Sequence, residues 1–125
     1  MQSFNRIHLR GTVGSVDCSN IQGHCRVLFS LVTNYAYSSP VGDAMIDITW
    51  FNVLLRLKPG DERIQQIQKG SIVEVEGRVR MLKVVSEDGE HKDYQVVAKS
   101  FKVLSEESIA PESTGGEALA SLRSQ

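Results

Sequence analysis

The most informative segment of the chain is MIDITWFNVLLR, which runs from Met45 to Arg56. It is rich in β-branched and aromatic residues and contains neither glycine nor proline, a composition that predicts a β-strand. Because successive side chains of a strand point to opposite faces, Trp50, Asn52 and Arg56 share one side of it. Apolar residues occur on both sides, so the strand either lies in a sandwich core or uses one face to bind something.

The length and composition of the chain favour one soluble domain. The chain has 125 residues, of which 41% are hydrophobic and 23% charged, and this length can bury a core without disulfides or a metal. No apolar run approaches the roughly 20 residues that span a membrane, and no signal-peptide core follows Met1, so a cytoplasmic location without membrane association is expected. Cys18 and Cys25 are expected to be free thiols, since a single bridge is uncommon in such a protein.

Charge is distributed unevenly along the chain, although the formal net charge is only −1. Residues 1–104 contain 13 lysines and arginines against 11 acidic residues, whereas residues 105–125 contain 1 against 4. The first segment is therefore mildly basic and can carry a basic stripe, while the second is acidic. The Glu, Ser, Ala, Gly and Thr content of the second segment predicts a mostly disordered tail at 105–125, after a single domain at 1–104.

Alternating apolar and polar residues predict five strands in all. The predicted strands are residues 4–16, 24–37, 45–56, 71–85 and 94–104. Gly11 and Gly14 inside the first strand indicate a bulge or bend, as a strand needs when it serves two sides of a small barrel. Between the third and fourth strands, Asp61 offers an N-cap for a short helix that Gly70 closes.

Five strands with one short helix between the third and the fourth is the element order of an OB-fold, an all-β, five-stranded Greek-key barrel. That fold binds its ligands on strands two and three and on adjoining loops. An SH3-like barrel or a sandwich has a similar strand count, but the position of the helix favours the OB-fold. The ligand face would then carry Trp50 and the neighbouring Tyr35 and Tyr37.

Four sequence blocks resemble the bacterial single-stranded DNA-binding proteins. They are NRIHLRGTVG at 5–14, FSLVTN at 29–34, TWFNV at 49–53 and KGSIVEVEGRVR at 69–80, in the order and spacing of that family. The resemblance covers residues 4–104. It implies a protein that coats single-stranded DNA without sequence preference in replication, recombination or repair, as a homo-oligomer that is a tetramer or, alternatively, a dimer. The long strand at 4–16 would suit pairing between subunits, since an unpaired strand edge is otherwise a liability.

The resemblance also implies stacking platforms for bases, with Trp50 at the position of one and Tyr37 where another usually lies. Each base stacked on an aromatic ring contributes roughly 1–3 kcal/mol, and basic side chains neutralise phosphates. Asn52 could hydrogen-bond to sugar or base edges, and Tyr35 either contributes or packs at the strand end. The predicted phosphate contacts are Arg6, Arg10, Arg56, Arg78, Arg80 and Lys83.

The chain departs from the family pattern in three places. Val84 stands where a further aromatic residue often lies and Arg56 where a phenylalanine is common, so weaker or differently arranged DNA binding is expected. The sequence ends SLRSQ at 121–125, without the acidic tip and Pro-Phe pair through which relatives recruit other proteins, so such recruitment is not expected. Primosomal replication protein B, a dimeric relative with the same barrel and no such tail, is therefore an alternative.

Other interpretations remain open for individual residues. Trp50 could instead lie in the core or anchor a subunit or partner, which would make the barrel a protein-interaction module. The arginines alternate with glutamates and could form only cross-strand pairs. Cys18, His24 and Cys25 are the one metal-like group, but their spacing matches no standard zinc pattern, and no phosphate-binding glycine-rich loop occurs. No metal, cofactor or catalysis is therefore predicted.

Overall fold

The computed structural model of the protein describes residues 2–104, which form five strands and one short helix. The elements are β1 (Ile7–Ile21), β2 (His24–Ser38), β3 (Ala44–Leu57), α1 (Arg63–Gln66), β4 (Ile72–Ser86) and β5 (Gly89–Leu104). The strands close a barrel in the order β1-β2-β3-β5-β4, with β3 and β5 parallel and the other pairs antiparallel. The predicted OB-fold is confirmed, whereas the predicted disordered tail lies outside the described residues.

The hairpin between β1 and β2 turns later than predicted. The first two predicted strands leave residues 17–23 between them, but the polar residues 17–20 continue β1 as far as Ile21 and pair in register with β2. The turn is confined to Gln22 and Gly23, whose φ angles are 50° and 79°. Backbone pairing with a neighbouring strand therefore overrides the weak turn preference of these polar residues. The last strand, β5, begins at Gly89 rather than at the predicted residue 94, since its hairpin with β4 needs only two turn residues.

The helix is a single turn of four residues, shorter than predicted. Its N-cap is Glu62, which makes no side-chain capping hydrogen bond, but Oδ1 of Asp61 accepts the backbone N–H of Arg63 at 2.9 Å. Asp61, the predicted N-cap, therefore accepts a helix N–H although it lies one residue before the actual N-cap. Gly70 lies beyond the helix, with a φ of 94°, and its N–H donates to the carbonyl of Val13 at 2.8 Å. It joins the helix loop to β1 rather than closing α1.

The core fills the barrel interior with inward-facing residues of every strand. Leu31, Val53 and Val75 are completely buried, and Ile67, just after α1, packs against the same cluster. Burial of this apolar surface is the main term that stabilises the barrel. No helix within residues 2–104 combines the length and apolar composition that a membrane crossing requires.

The hairpin of β2 and β3 extends beyond the barrel wall. The two strands pair along their whole length, from Cys25–Leu57 to Ser38–Ala44, whereas β1 pairs with β2 only as far as Val32. Residues 33–49 therefore form a projecting two-stranded ribbon, here called the β2–β3 arm. It carries several exposed apolar side chains, and these are Tyr35, Tyr37, Val41, Met45 and Ile48.

Candidate nucleic-acid interface

One face of β2 and β3, on the side away from the core cluster, carries a ladder of cross-strand pairs, in which Leu54 is itself buried. Alternation places the even-numbered residues of both strands on this face, opposite the core. From the arm inward, the pairs are Asn34–Ile48, Val32–Trp50, Ser30–Asn52, Leu28–Leu54 and Arg26–Arg56. Trp50, Asn52 and Arg56 therefore share one surface, as the sequence indicates. At a rise of about 3.3 Å per residue, Trp50 and Arg56 lie about 20 Å apart along β3.

Trp50 lies across β1, over Gly14. A methyl group at Gly14 would lie 2.7 Å from Cζ3 of the indole and 2.6 Å from Oγ of Ser30. A β-bulge interrupts the β1–β2 pairing here, and the backbone N–H of Ser15 donates to Oγ of Ser30 at 2.8 Å. The missing side chain of Gly14 thus leaves room for the ring. Trp50 remains 59% exposed, so it is not a core residue of this chain and presents its free surface to solvent.

A groove of about 250 Å³ opens beside Asn52, and Tyr94 and Gln95 line its far side. Tyr94 is exposed and offers a second aromatic surface next to Asn52. Oε1 of Gln95 accepts hydrogen bonds from Nε and Nη2 of Arg80 at 2.9 and 2.6 Å, so the guanidinium of Arg80 is held near this groove. The sequence did not mark Tyr94 as a site residue, because only the pairing of β5 with β3 brings it to this face.

Arg26 and Arg56 lie directly opposite each other at the end of the ladder. Together with His24 and Lys58 they line a cleft of about 680 Å³. Like charges opposite each other destabilise a sheet, and within residues 2–104 neither arginine forms an ion pair with a carboxylate. Nε of Arg26 is buried without a hydrogen-bond partner. An anion such as a phosphate in the cleft would instead neutralise the two guanidinium charges.

Two other predicted phosphate contacts, Arg6 and Arg10, are engaged with acidic residues of β4. Arg6 forms an ion pair with Glu76, and Nη2 of Arg10 lies 3.5 Å from Oε2 of Glu74. Glu74 also accepts a hydrogen bond from His8 at 2.5 Å. That hydrogen bond, with the nearby charge of Arg10, holds the pKa of Glu74 below its usual value. These arginines thus form cross-strand ion pairs, which the sequence analysis gave as the alternative to phosphate binding.

Arg78 and Lys83 belong to β4, which β5 separates from β3 in the barrel order. Arg78 lines a cleft of about 610 Å³ together with Phe4 and Lys99. Nζ of Lys83 lies 3.1 Å from Oε2 of Glu90 in the hairpin of β4 and β5. The structure therefore does not bring these two cations onto the ladder that carries Trp50.

Tyr35 and Tyr37 lie on the opposite face of the β2–β3 arm from Trp50, because they pair with Asp47 and Met45. Their rings stack, with centroids 6.1 Å apart and planes inclined by 29°. The hydroxyl of Tyr37 donates to Oδ1 of Asp47 at 3.4 Å, and the negative charge of Asp47 raises the pKa of Tyr37. The expected aromatic residues thus form two separate surfaces, one on each side of the arm.

The metal-like group of the sequence is not assembled into a metal site. Among residues 2–104, no three His, Cys, Asp or Glu side chains are grouped to hold an ion. Cys18 and Cys25 are free thiols, as expected, with Cys18 exposed and Cys25 buried. The chemistry of the described surface is therefore that of aromatic rings, amides and guanidinium groups.

Comparison with known sequences gives relatives of one kind, although no family model matches the chain. Two single-stranded DNA-binding proteins of Neisseria meningitidis, from serogroups A and B, are each 29% identical to it over 107 residues. The matches cover 82% of this chain and 60% of each relative. The chain thus spans about 60% of the length of these curated relatives.

Solved structures share the barrel. The Plasmodium falciparum single-stranded DNA-binding protein, in complex with single-stranded DNA, has a TM-score of 0.73 and 21% identity, over 84% of this chain and 98% of that protein. The small single-stranded DNA-binding protein of Streptomyces coelicolor has a TM-score of 0.65 and 17% identity, over 83% and 96%. These likenesses show the fold. The closed five-stranded barrel is an OB-fold. In sequence and in fold, the chain is thus similar to single-stranded DNA-binding proteins.

The substitution Gly14→Ala tests the position of the indole over β1. The backbone at Gly14 lacks the positive φ that would exclude alanine, so the added methyl group should act by colliding with the indole of Trp50 and with Oγ of Ser30. We expect the ring to move outward. Emission from this sole tryptophan should then shift to longer wavelength, and iodide should quench it more strongly.

Val85→Ala is the control, because it also alters the methyl groups at one position in a strand, but the Val85 side chain is exposed on β4 and not placed under Trp50. It should leave both the emission spectrum and the iodide quenching unchanged. If Gly14→Ala folds normally by circular dichroism and keeps the wild-type spectrum and quenching, the position of the indole over Gly14 is wrong.

Proposed function

We propose that the protein binds single-stranded DNA in the cytoplasm without sequence preference and protects it during replication, recombination or repair. The observation that carries this proposal is the ladder on which the exposed Trp50 and the arginine pair Arg26–Arg56 share one face. Aromatic rings stack bases of any sequence, and guanidinium groups neutralise phosphates. The relatives named as single-stranded DNA-binding proteins support the same activity.

The strand would follow the ladder from the arm toward the end of the barrel. A base stacks on the free surface of Trp50, and the amide of Asn52 reaches a sugar or base edge beside it. Tyr94 offers a second stacking surface across the groove. The next phosphates then enter the cleft of Arg26 and Arg56, where they relieve the repulsion between the two cations.

The remaining predicted residues would serve a strand that wraps further around the protein. Tyr35 and Tyr37 would stack bases on the other face of the β2–β3 arm, while Arg78 would contact phosphates beyond β5. The cations already paired with carboxylates would contribute less, because a phosphate must first replace the paired acid. These cations are Arg6, Arg10 and Lys83.

Two other functions differ from this one in what they require. A protein-interaction barrel would use Trp50 as an anchor and would ignore oligonucleotides, and a primosomal accessory protein of the primosomal replication protein B type would act with protein partners. The names of the relatives favour neither. They describe DNA binding and no reaction, so the proposed activity is binding rather than catalysis and needs no cofactor.

Trp50→Ala should weaken binding of a fluorescein-labelled oligo-dT roughly 5- to 150-fold, since loss of one stacked base costs about 1–3 kcal/mol. Fluorescence anisotropy titration measures the affinity. Ile48→Ala is the matched control, because Ile48 is equally exposed, lies two residues away on the same face, and lacks a ring. Equal affinities for wild type and Trp50→Ala would move the assignment to the protein-interaction barrel.

Arg56→Gln should weaken DNA binding without lowering the stability of the protein. Loss of one phosphate contact should make the plot of log affinity against log salt concentration shallower by about 0.7 for a single strand. The urea midpoint should stay equal or rise, because the substitution removes the repulsion with Arg26.

The control for this experiment is Lys69→Gln, which removes an exposed positive charge in the loop before β4. It should leave both the salt slope and the urea midpoint near the wild-type values. A lower urea midpoint for Arg56→Gln with an unchanged salt slope would mean that Arg56 has a structural role and no phosphate contact.

We also propose that the protein is a homo-oligomer, a tetramer in the first instance. Residues Ile7 to Gly11 of β1 pair with β4 on one edge. Within the described part of the chain, the pairing of β1 with β2 starts at Thr12, so the second edge of this segment is open to a strand of another copy. Light scattering after gel filtration should give four times the mass of one chain. Twice that mass would favour the dimer, and a single-chain mass would contradict both.

A further inference from the structure

Cys18 of β1 and Cys25 of β2 bring their sulfur atoms within 2.9 Å of each other. The strand register produces this contact, since Cys25 lies opposite Asn20 and Cys18 opposite Val27, which places both thiols on the same face of the hairpin. The S–S bond of a disulfide is about 2.05 Å long. The two sulfur atoms therefore need to approach by less than about 1 Å to bond.

The two thiols differ in their access to solvent. Cys18 is exposed, whereas Cys25 is 2% exposed and belongs to the core. Both line a cleft of about 340 Å³ beside α1, which a small reagent can enter. The hydrogen bond between the thiols, together with burial, raises the pKa of Cys25 to about 11. Cys25 therefore keeps its proton at neutral pH, and Cys18 is the thiol that a reagent can reach.

We propose that Cys18 and Cys25 are a modification site that takes up a low-molecular-weight disulfide and is converted to a reversible intramolecular disulfide. The Cys18 thiol loses its proton and attacks one sulfur of the reagent, which gives a mixed disulfide and releases one reagent thiol. The Cys25 thiol then loses its proton and attacks the sulfur of Cys18, which forms the Cys18–Cys25 bond and releases the second reagent thiol. Two electrons pass from the cysteine pair to the reagent, and the two cysteine protons end on the two released thiols.

The bridge would join β1 to β2 next to the turn at Gln22 and Gly23. It would restrict the unfolded chain and oppose opening of this hairpin, so the oxidised protein should be more stable than the reduced protein. The inference stands on the sulfur geometry of the hairpin and does not depend on the proposed DNA binding.

Formation of the bridge can be tested by treating the folded 125-residue protein with 2-hydroxyethyl disulfide. We expect both free thiols to disappear, the chain to lose the mass of two hydrogen atoms, and a peptide linked through Cys18 and Cys25 to appear after digestion. Dithiothreitol should restore both thiols. A mixed disulfide that persists on Cys18, a bridge between two chains, or retention of both thiols would overturn the proposal.

A redox titration separates a site built by the fold from two cysteines that are merely close in sequence. In buffers of 2-hydroxyethyl disulfide and 2-mercaptoethanol, the equilibrium constant for the bridge should be at least about tenfold larger in the native protein than in urea, because the fold holds the sulfur atoms together. An equal or smaller constant in the native protein would show that the fold does not favour the bridge and would overturn the proposal.

The variants Cys18→Ser and Cys25→Ala assign the order of attack. Cys18→Ser should keep its single thiol in the folded state, because Cys25 is buried. Cys25→Ala should stop at the mixed disulfide on Cys18. Reaction of the folded Cys18→Ser variant as fast as the wild type would overturn the assigned order, and the redox titration of the wild type still decides the proposal if Cys25→Ala fails to fold.

Discussion

The uninterrupted antiparallel pairing of β2 with β3, from Cys25–Leu57 to Ser38–Ala44, determines which side chains face outward. A slip of one residue in this register would exchange the two faces, turning the core residues to solvent and the ladder inward. The core therefore holds the register in place: Leu31 and Val53 are completely buried on the face opposite Trp50. The candidate interface depends on the same burial that stabilises the barrel.

The ladder retains features that oppose stability. The indole of Trp50 is 59% exposed, and two arginines lie directly opposite each other. If folding were the only requirement, substitution of these residues would stabilise the protein. Natural proteins accept such local conflicts mainly where a ligand compensates for them. By contrast, Arg6, just before β1, and Arg10 of β1 are matched to glutamates of β4. Pairing with a carboxylate therefore distinguishes Arg6 and Arg10 from Arg26 and Arg56.

Sequence was sufficient for the strands, the short helix and the OB-fold, because alternation and the position of Asp61 are local signals. It was insufficient wherever partners are distant in sequence. Asp17 to Asn20 look like a turn until β2 pairs with them. Tyr94 becomes part of the site only through β5 beside β3, and Arg26 only through its register with Arg56. Tyr37 was predicted to share the ligand surface of Trp50, yet an odd and an even position on paired strands lie on opposite faces.

The glycines of β1 show how closely the fold and the site are connected. A methyl group at Gly11 would lie 2.3 Å from the carbonyl oxygen of Val32, so Gly11 permits β1 to cross to the neighbouring strand where the barrel closes. Three residues later, Gly14 sits in the bulge and leaves room for the indole of Trp50. The sequence correctly indicated a bend at these glycines. Closure of the barrel is only part of the explanation for these glycines, because Gly14 also makes room for the Trp50 side chain from β3. The bend that lets β1 serve both sides of the barrel therefore also supports the aromatic surface from below.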